Sequence, residues 1–254
     1  MNNNKLKMNS SKTEFIMFGS RQMLAKCSTD VINIAGDDIK RERVIRYLGA
    51  FLDEYLTFKD HIKRKCRVAM MNFLRIKSIR KYLSSAATET LVLSLVISHL
   101  DYCNVILYGI ADSDIHKLQR IQNMCAKLVL NCRKFDSSKD ALFKLHWLPV
   151  KARITFKILT YMYNCSIGNA PTYLTELLTE KHVGRSGLRS TVQESFKLYD
   201  VPFNKKSTFS DRGFMTAGPK LWNDLPSSVK RSMTLDAFKK NLKTYYFSKF
   251  YDLF

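Results

Sequence analysis

The hydrophobic and polar positions of the first fifty residues have the pattern of β-strands, with alternation at residues 31–34 and an apolar run at residues 13–18. Runs of β-branched and aromatic residues recur at three places: residues 13–18, 31–34 and 39–52. Alternation of this kind is typical of strands that bury one face. Because turn-forming residues follow Gly36, the pattern predicts an antiparallel hairpin over residues 31–52 that closes near this glycine.

The period of the pattern becomes helical at Thr57. From there apolar residues recur at the i, i+3, i+4 spacing of a helix face, first at Ile62, Ala69, Phe73 and Leu74. This spacing predicts helices over most of the remaining chain. They cover residues 57–81, 86–108, 113–130, 139–145, 149–165, 172–178, 217–223 and 235–250.

The two patterns together predict an α+β fold that is mainly α. Short N-terminal antiparallel strands precede a helical bundle, and a mixed, partly extended region follows it. Gly, Ser, Arg, Lys and Thr dominate residues 181–213, which indicates a weakly structured basic segment. We therefore expect five parts: strands at 1–53, a helical bundle at 54–135, a helical region at 136–180, an extended basic segment at 181–216 and C-terminal helices at 217–254.

The chain carries a large excess of positive charge. Its 254 residues include 42 lysines and arginines against 22 aspartates and glutamates, which gives a formal net charge of +20. This charge favours an acidic partner, with nucleic acid first and an anionic membrane surface second. A basic protein without such a partner is the alternative.

Cysteine spacing and hydropathy argue against a zinc-binding protein, a membrane-spanning protein and a secreted protein. The six cysteines form no CxxC pair and show no zinc-ligand spacing, so we expect reduced, buried thiols. The most apolar run, residues 91–100, is too short to span a bilayer, and the N-terminus lacks the apolar stretch of a secretory signal. We expect an intracellular protein, nuclear or cytoplasmic, without a membrane-spanning helix.

One face of the predicted helix at residues 57–81 is strongly basic. It carries Lys59, Lys63, Arg64, Lys65, Arg67, Arg75, Lys77, Arg80 and Lys81. Lysines and arginines that meet phosphates release counterions and bind nucleic acid without regard to sequence. A solvated face beside acidic neighbours is the alternative, but only Glu54 and Asp60 lie close in sequence.

A second group of basic residues lies in the predicted extended segment. Its candidate nucleic-acid contacts are Arg185, Arg189, Lys205 and Lys206, accompanied by Lys197 and Arg212. Four aromatic residues are interleaved with them: Phe196, Tyr199, Phe203 and Phe209. These rings can stack on unpaired bases, although packing inside the protein is the more common role of such residues and is the role we favour.

The group Gly36-Asp37-Asp38 looks like the paired-aspartate turn of a polymerase, in which carboxylates hold magnesium. Two-metal chemistry needs a further carboxylate at the end of a buried strand, whereas here basic residues follow at once. Gly-Asp-Asp also suits a hairpin turn, which we favour. The five histidines are scattered, with no HExxH motif and no pair at ligand spacing, so we predict no catalytic residue and no metal site.

Seven sequence blocks occur in a characteristic order. They read MNSSKTEFIMFGS, VIRYLGAFLDEYLTFKDHI, ISHLDYCNVILYG, LQRIQNMCAKLV, LHWLPVKARITFKIL, APTYLTELL and GPKLWNDLPSSVKRSMTLDAFKKNLKTYYF. Together, from about residue 5 to residue 247, they resemble the C-terminal part of the reverse transcriptase of LINE-type non-LTR retrotransposons related to the jockey, CR1 and L2 elements. Seven ordered blocks make the resemblance specific, although no single block would.

The resemblance implies a relative of RNA-directed DNA polymerases, whose palm aspartates bind Mg²⁺. It implies that the first 52 residues are the last palm strands, that residues 57–130 are the thumb and that the remainder is the family's C-terminal region. The family's aspartate motif falls just before the block that matches residues 5–18 and has no counterpart in this sequence. We therefore carry over no catalytic residue or magnesium ligand, and we expect no cofactor and no enzymatic activity from this chain alone.

Three hypotheses about function follow. The first is a truncated reverse-transcriptase-like protein without polymerase activity that binds RNA or DNA non-specifically. The second is a protein-interaction module whose basic surface binds an acidic partner. The third is an active polymerase that this fragment completes together with a second chain. We expect no small-molecule substrate, and the sequence does not indicate an oligomeric state.

Overall fold

The computed structural model of this protein describes residues 9, 12–34, 36–133, 135–181, 196–203 and 210–251. Its residue contacts separate two units, Met1–Val68 and Ala69–Phe254. Two short antiparallel strand pairs lie in the first unit, and helices follow. This arrangement confirms the predicted α+β fold with mainly α content. Among the described residues, no helix is both long and apolar enough to cross a membrane.

The alternating residues form two β-hairpins rather than the single predicted one. The strands of the first are β1 (Val31–Ile34) and β2 (Asp37–Lys40), and those of the second are β3 (Val44–Tyr47) and β4 (Ala50–Asp53). Gly36 lies in the first turn with a φ of 93°, where the sequence predicted it. Leu48 and Gly49 close the second with φ values of 44° and 82°. Positive φ at both central residues suits the twist of paired strands. The strand pattern at residues 39–52 is therefore interrupted in two places, after Lys40 and at Leu48-Gly49.

The predicted strand at residues 13–18 is wrong. In the structure this stretch contributes an isolated parallel bridge between Phe15 and Arg41. A short helix, α1 (Arg21–Ala25), follows it, and the Ser20 hydroxyl caps this helix by accepting a hydrogen bond from the Met23 amide. β-type composition alone did not make a strand here, because a strand also needs a neighbour with which to pair.

A buried carboxylate connects the second hairpin to the long helix α2 (Lys59–Ile79). Asp53 is the last residue of β4, and its side chain accepts hydrogen bonds from three backbone amides: those of Tyr55 at 3.2 Å, Thr57 at 3.0 Å and Phe58 at 2.6 Å. The Thr57 hydroxyl donates to the same carboxylate. Phe58 in turn accepts the first helical bond, from the Ile62 amide. Asp53 therefore fixes the position at which α2 begins.

Nine further α-helices follow α2 among the described residues of the second unit. The α-helices are α3 (Ser85–Val92), α4 (Ser98–Asp101), α5 (Asp112–Val129), α6 (Ser138–Lys144), α7 (Val150–Ser166), α8 (Thr172–Thr175), α9 (Phe214–Asn223), α10 (Ser227–Lys230) and α11 (Leu235–Tyr251). The stretch Leu93–Ile97 between α3 and α4 is a π-helical turn. Most of these helices lie where the sequence pattern predicts them.

The predicted helix at residues 86–108 is correct in its first part only. It ends at Asp101, because Tyr102 is extended and Cys103 has a φ of 52°. A short 3₁₀ helix, Asn104–Leu107, follows the break. The helical periodicity continues through this stretch, so hydrophobic spacing alone gave no sign of the interruption.

Helices α7, α9 and α11 share an aromatic core. Trp222 and Phe238 are fully buried, and the Tyr163 ring stacks on Phe238 with centroids 4.3 Å apart. The Trp222 indole nitrogen donates to the Lys197 carbonyl at 2.7 Å, which satisfies its polar group. Residues of the predicted helical region at 136–180 and of the predicted C-terminal helices therefore contribute to one core.

The described part of the predicted extended segment is fixed to this core. Tyr199 is buried, and the Asn223 side chain pairs with both its amide and its carbonyl, at 3.2 and 2.7 Å. Burial raises the pKa of Tyr199. Phe203, in contrast, is 91% exposed. Packing is thus the role of Tyr199, while residues 182–195 and 204–209 lie outside the described residues.

We expect Asp53→Ala to lower the free energy of unfolding by about 2–4 kcal/mol, because three backbone amides lose a charged acceptor. Asp53→Asn, which keeps one carbonyl oxygen, should fall between this variant and the wild type. Urea unfolding followed by circular dichroism measures both. Asp60→Ala is the matched control, since this exposed carboxylate only faces the first turn of α2 and should matter by less than about 1 kcal/mol. Equal losses for Asp53→Ala and Asp60→Ala would contradict the role of Asp53.

Candidate nucleic-acid interface

Helix α2 separates a buried apolar face from an exposed basic face. Ile62, Ala69, Phe73 and Ile76 are buried along one side. Six of the candidate contacts are exposed: Lys59, Lys63, Arg64, Arg67, Arg75 and Lys77. Lys65 departs from the sequence assignment, because it is only 4% exposed and so belongs to the packed face of the helix.

The first half of α2 presents its cations in a row. Lys59, Lys63 and Arg67 follow each other at intervals of four residues, which places them on one side of the helix and spreads them over about 12 Å along its axis. The neighbouring carboxylates do little to neutralise this row. Glu54 is buried and pairs with Arg41 at 2.8 Å, which leaves Asp60 as its exposed acidic neighbour in the sequence.

A hairpin residue that sequence reasoning missed extends this basic surface within the first unit. The Arg64 guanidinium lies 4.3 Å from the centre of the Phe51 ring, and that of Arg46 lies 5.9 Å from the same ring. Arg46 is directly opposite Phe51 in the β3–β4 register. The Glu14 carboxylate, in turn, accepts a hydrogen bond from the Arg46 amide at 3.4 Å. Cation–π contacts of this kind hold both guanidinium groups beside the ring.

Arg46 could not be assigned from the sequence because its position depends on the second hairpin turn. A strand running unbroken through residues 39–52 gives Arg46 no cross-strand partner. Once Leu48 and Gly49 turn the chain, Arg46 faces Phe51 and lies near Arg64. The glycine of the Leu48-Gly49 pair is the sequence signal that indicates this second turn.

Arg80 is not part of the exposed basic surface, which corrects its assignment as a nucleic-acid contact. Its guanidinium donates to three backbone carbonyls: those of Leu128 at 2.9 Å, Val129 at 3.2 Å and Leu83 at 2.8 Å. It also donates to the Ser85 hydroxyl at 3.3 Å. The side chain therefore caps the C-terminal end of α5, where the helix dipole favours a cation.

The neighbouring Lys81 differs from Arg80 in its surroundings. It is exposed, and its ammonium group lies 4.8 Å from the centre of the Tyr82 ring, which is itself 76% exposed. Lys81 therefore remains a candidate contact. Arg75 and Lys77 are exposed residues of the second half of α2 and remain candidates as well.

The second predicted basic group is only partly described. Arg185, Arg189, Lys205, Lys206 and Phe209 lie outside the described residues. Of its remaining cations, Lys197 forms an ion pair with Glu180, and the Arg212 Nε donates to the Tyr108 carbonyl at 3.2 Å. These two side chains have intramolecular partners.

The acidic and metal-ligating side chains do not converge. Asp37 and Asp38 are exposed residues at the start of β2, and the Asp38 carboxylate accepts a hydrogen bond from the side-chain Nδ2 of Asn33 at 2.7 Å. The Asn33 side chain also accepts from the Gly36 amide at 3.2 Å, which is typical of a side-chain-supported turn. Within the described ranges, no three His, Cys, Asp or Glu residues could together hold a metal ion.

The surroundings of the cysteines and of His61 indicate a role in packing rather than in catalysis. The six cysteines are free thiols, and burial raises the pKa of Cys125 to about 12. A thiol with such a pKa stays protonated near neutral pH and is a poor nucleophile. His61 is buried in α2, and its Nδ1 accepts a hydrogen bond from the Phe51 amide at 3.3 Å.

The chain is similar to a known retrotransposon protein. It is 29% identical over 133 residues to the "Probable RNA-directed DNA polymerase from transposon X-element" of Drosophila melanogaster. The match covers 50% of this chain and 14% of the relative, so the chain spans only a small part of that protein's length. No protein-family profile and no solved structure matches the chain. The similarity confirms the resemblance to a LINE-type reverse transcriptase.

We expect Arg80→Ala to lower the free energy of unfolding by about 2–4 kcal/mol, since three carbonyls of α5 and its surroundings lose a charged donor. Arg80→Lys should recover only part of the loss, because an ammonium group cannot reach the same set of acceptors. Lys81→Ala, at an exposed neighbouring position, should change stability by no more than about 0.5 kcal/mol. Thermal denaturation compares the three variants, and equal effects at positions 80 and 81 would contradict the capping role.

Proposed function

We propose that this chain is a reverse-transcriptase segment that binds nucleic acid through the basic face of α2 and does not polymerise nucleotides by itself. The nucleic acid is double-stranded RNA or DNA, gripped through its phosphates. The observation that carries the proposal is the row formed by Lys59, Lys63 and Arg67, exposed on one side of a helix whose opposite side is buried.

Phosphate binding suits the chemistry of this surface. Lysine and arginine side chains at helical intervals can follow a phosphate backbone, and such contacts fix position without reading sequence. The Glu54 carboxylate is buried and paired with Arg41, so Asp60 is the exposed acidic neighbour of the row in the sequence. The similarity to a transposon RNA-directed DNA polymerase makes a nucleic-acid duplex the natural partner.

The absence of polymerase activity is the second part of the proposal. Asp37 and Asp38 stand at a hairpin turn, and Asp38 is held by Asn33. Neither follows a buried strand, as the metal-binding aspartates of two-metal enzymes must in order to position both ions. We therefore assign these residues to the turn and assign no cofactor to the chain.

A protein partner with an acidic and apolar surface is the second candidate. Met71 and Leu74, two exposed residues of α2, favour it, because they are 46% and 53% exposed beside the cations of the same helix. The periodicity assigned Leu74 to the buried face, which the structure corrects. Apolar side chains among cations suit an amphipathic acidic peptide.

We expect Lys63→Ala/Arg67→Ala to weaken binding to duplexes of all sequences alike. Each lost phosphate contact should reduce the slope of log Kd against log salt by about 0.9, so the double variant should lose about 2 from the slope. Fluorescence anisotropy with a labelled duplex at several salt concentrations measures it. Arg64 is left intact because it also packs on Phe51.

The control for this experiment is Lys26→Ala/Lys40→Ala. These exposed lysines belong to the same unit but not to α2, and their removal changes the net charge by the same amount. An equal loss of affinity in both double variants would mean that only total charge matters. Competition by poly-glutamate at lower concentrations than by duplex would favour the protein partner instead.

We expect no incorporation of nucleotides by the chain alone in a primer-extension assay with Mg²⁺ and dNTPs. The reference is Asp37→Ala/Asp38→Ala, which removes both turn carboxylates. Extension by the wild-type chain above the level of this variant would overturn the assignment of the two aspartates to a turn and would favour an active polymerase.

A further inference from the structure

Helices α6 and α11 bring together a cluster of aromatic rings at the surface of the second unit. The Phe143 ring of α6 stacks on the Phe247 ring of α11, with centroids 5.3 Å apart and planes inclined by 27°. His146 lies 5.3 Å from the same Phe247 ring. Phe143 is 39% exposed and His146 is exposed as well, so the cluster reaches solvent.

A buried tyrosine holds the cluster in place. Tyr251 packs edge-on against Phe143 at 5.1 Å and against Phe250 at 5.0 Å. Its hydroxyl donates to the Trp147 carbonyl at 3.1 Å. Burial raises the pKa of Tyr251 to about 12, so this donor is retained throughout the physiological range. The exposed rings are therefore positioned before any ligand arrives.

His146 occupies a position that usually belongs to glycine. It follows Leu145, the C-cap residue of α6, and has a φ of 52°. The chain makes the two hydrogen bonds of a Schellman motif, from the His146 amide to the Phe143 carbonyl and from the Trp147 amide to the Leu142 carbonyl. A side chain is strained in this left-handed conformation, whereas glycine is not. The stability of the turn alone does not explain why histidine occupies this position. The contribution of its ring to the aromatic cluster does explain it.

The helices that carry the rings are basic. Their lysines are Lys139, Lys144, Lys239, Lys240, Lys243 and Lys249, against the two aspartates Asp140 and Asp236. Asp236 lies 3.8 Å from Lys239. On α11, Lys243 precedes Phe247 by four residues, which places the two side chains on the same face.

We propose that Phe143, His146 and Phe247, with the lysines of α6 and α11, form a binding site for single-stranded nucleic acid. Unpaired bases stack on the exposed rings and the lysines meet the phosphates. Stacking on aromatic side chains tolerates any base, because every base has a π face. In a duplex these faces are covered by neighbouring bases, so the site distinguishes single strands from the duplex proposed for α2.

The lysines and the aromatic rings of α6 and α11 together indicate the chemistry of the partner. A net positive surface favours a polyanion, and a rigid group of partly exposed rings favours flat aromatic ligands rather than aliphatic side chains. The site lies wholly within the second unit and does not depend on the α2 interface. Failure of one proposal therefore leaves the other intact.

The test compares binding of a labelled oligo(dT) by the wild-type chain and His146→Gly. Removal of the ring should weaken oligo(dT) binding by about fivefold or more. The melting temperature should stay equal or rise, because glycine relieves the left-handed strain. His146→Asn, which tolerates the same backbone conformation without an aromatic ring, should lose affinity to a similar extent.

Controls separate this site from general charge effects. Tyr173→Ala removes a 65% exposed aromatic residue of α8 and should leave oligo(dT) binding unchanged. Lys63→Ala/Arg67→Ala should affect the duplex more than the single strand. Photocrosslinking with oligo(dT) containing 4-thiothymidine should label peptides that contain residues 143–146 or 247–250.

Three outcomes would overturn the proposal. In the first, His146→Gly and His146→Asn melt at lower temperatures while oligo(dT) affinity is unchanged, which means that the ring only packs. In the second, crosslinks form only outside the two peptides. In the third, poly-glutamate displaces oligo(dT) more effectively than unlabelled oligo(dT) does, which identifies the site as one for an acidic protein.

Discussion

The carboxylate of Asp53 is the contact on which the organisation of the first unit depends. It ends β4 and accepts hydrogen bonds from the backbone amides that precede α2, so one buried side chain sets both the end of a strand and the start of a helix. Helical geometry then distributes every later residue of α2 between its two faces. The exposed row of cations follows from this start and from the burial of Ile62 and Ala69 on the opposite side.

Residues of like charge have different roles in this protein. Arg80 donates hydrogen bonds to the carbonyls at the end of α5, and Arg41 forms an ion pair with buried Glu54. Lys65 lies in the packed face of α2. Lys63 and Arg67 extend into solvent instead. A net charge of +20 therefore overstates the number of cations available to a partner. What distinguishes them is whether a backbone carbonyl or carboxylate lies within reach, because a desolvated cation must be paired.

The second unit shows how polar side chains can replace regular secondary structure. Asn223 pairs with the amide and carbonyl of Tyr199 much as a strand would, while an isolated antiparallel bridge joins Tyr199 to Glu180. His146 likewise ends α6 in a conformation that suits glycine, and its ring lies beside Phe247. In both places the side-chain contact joins residues far apart in the sequence.

The sequence by itself determined the fold class, most helix positions, the turn at Gly36 and the resemblance to a LINE-type reverse transcriptase. These features depend on local periodicity, turn chemistry and ordered sequence blocks, all of which are read along the chain. Only the tertiary structure decided that the N-terminal strands form two hairpins, that Arg46 flanks Phe51 beside Arg64, that Arg80 caps α5 and that α6 and α11 share aromatic rings. The second hairpin has a local signal only in the Leu48-Gly49 pair. The contacts of Arg80 with α5 and of α6 with α11 join residues far apart in the sequence, and no local pattern encodes their proximity.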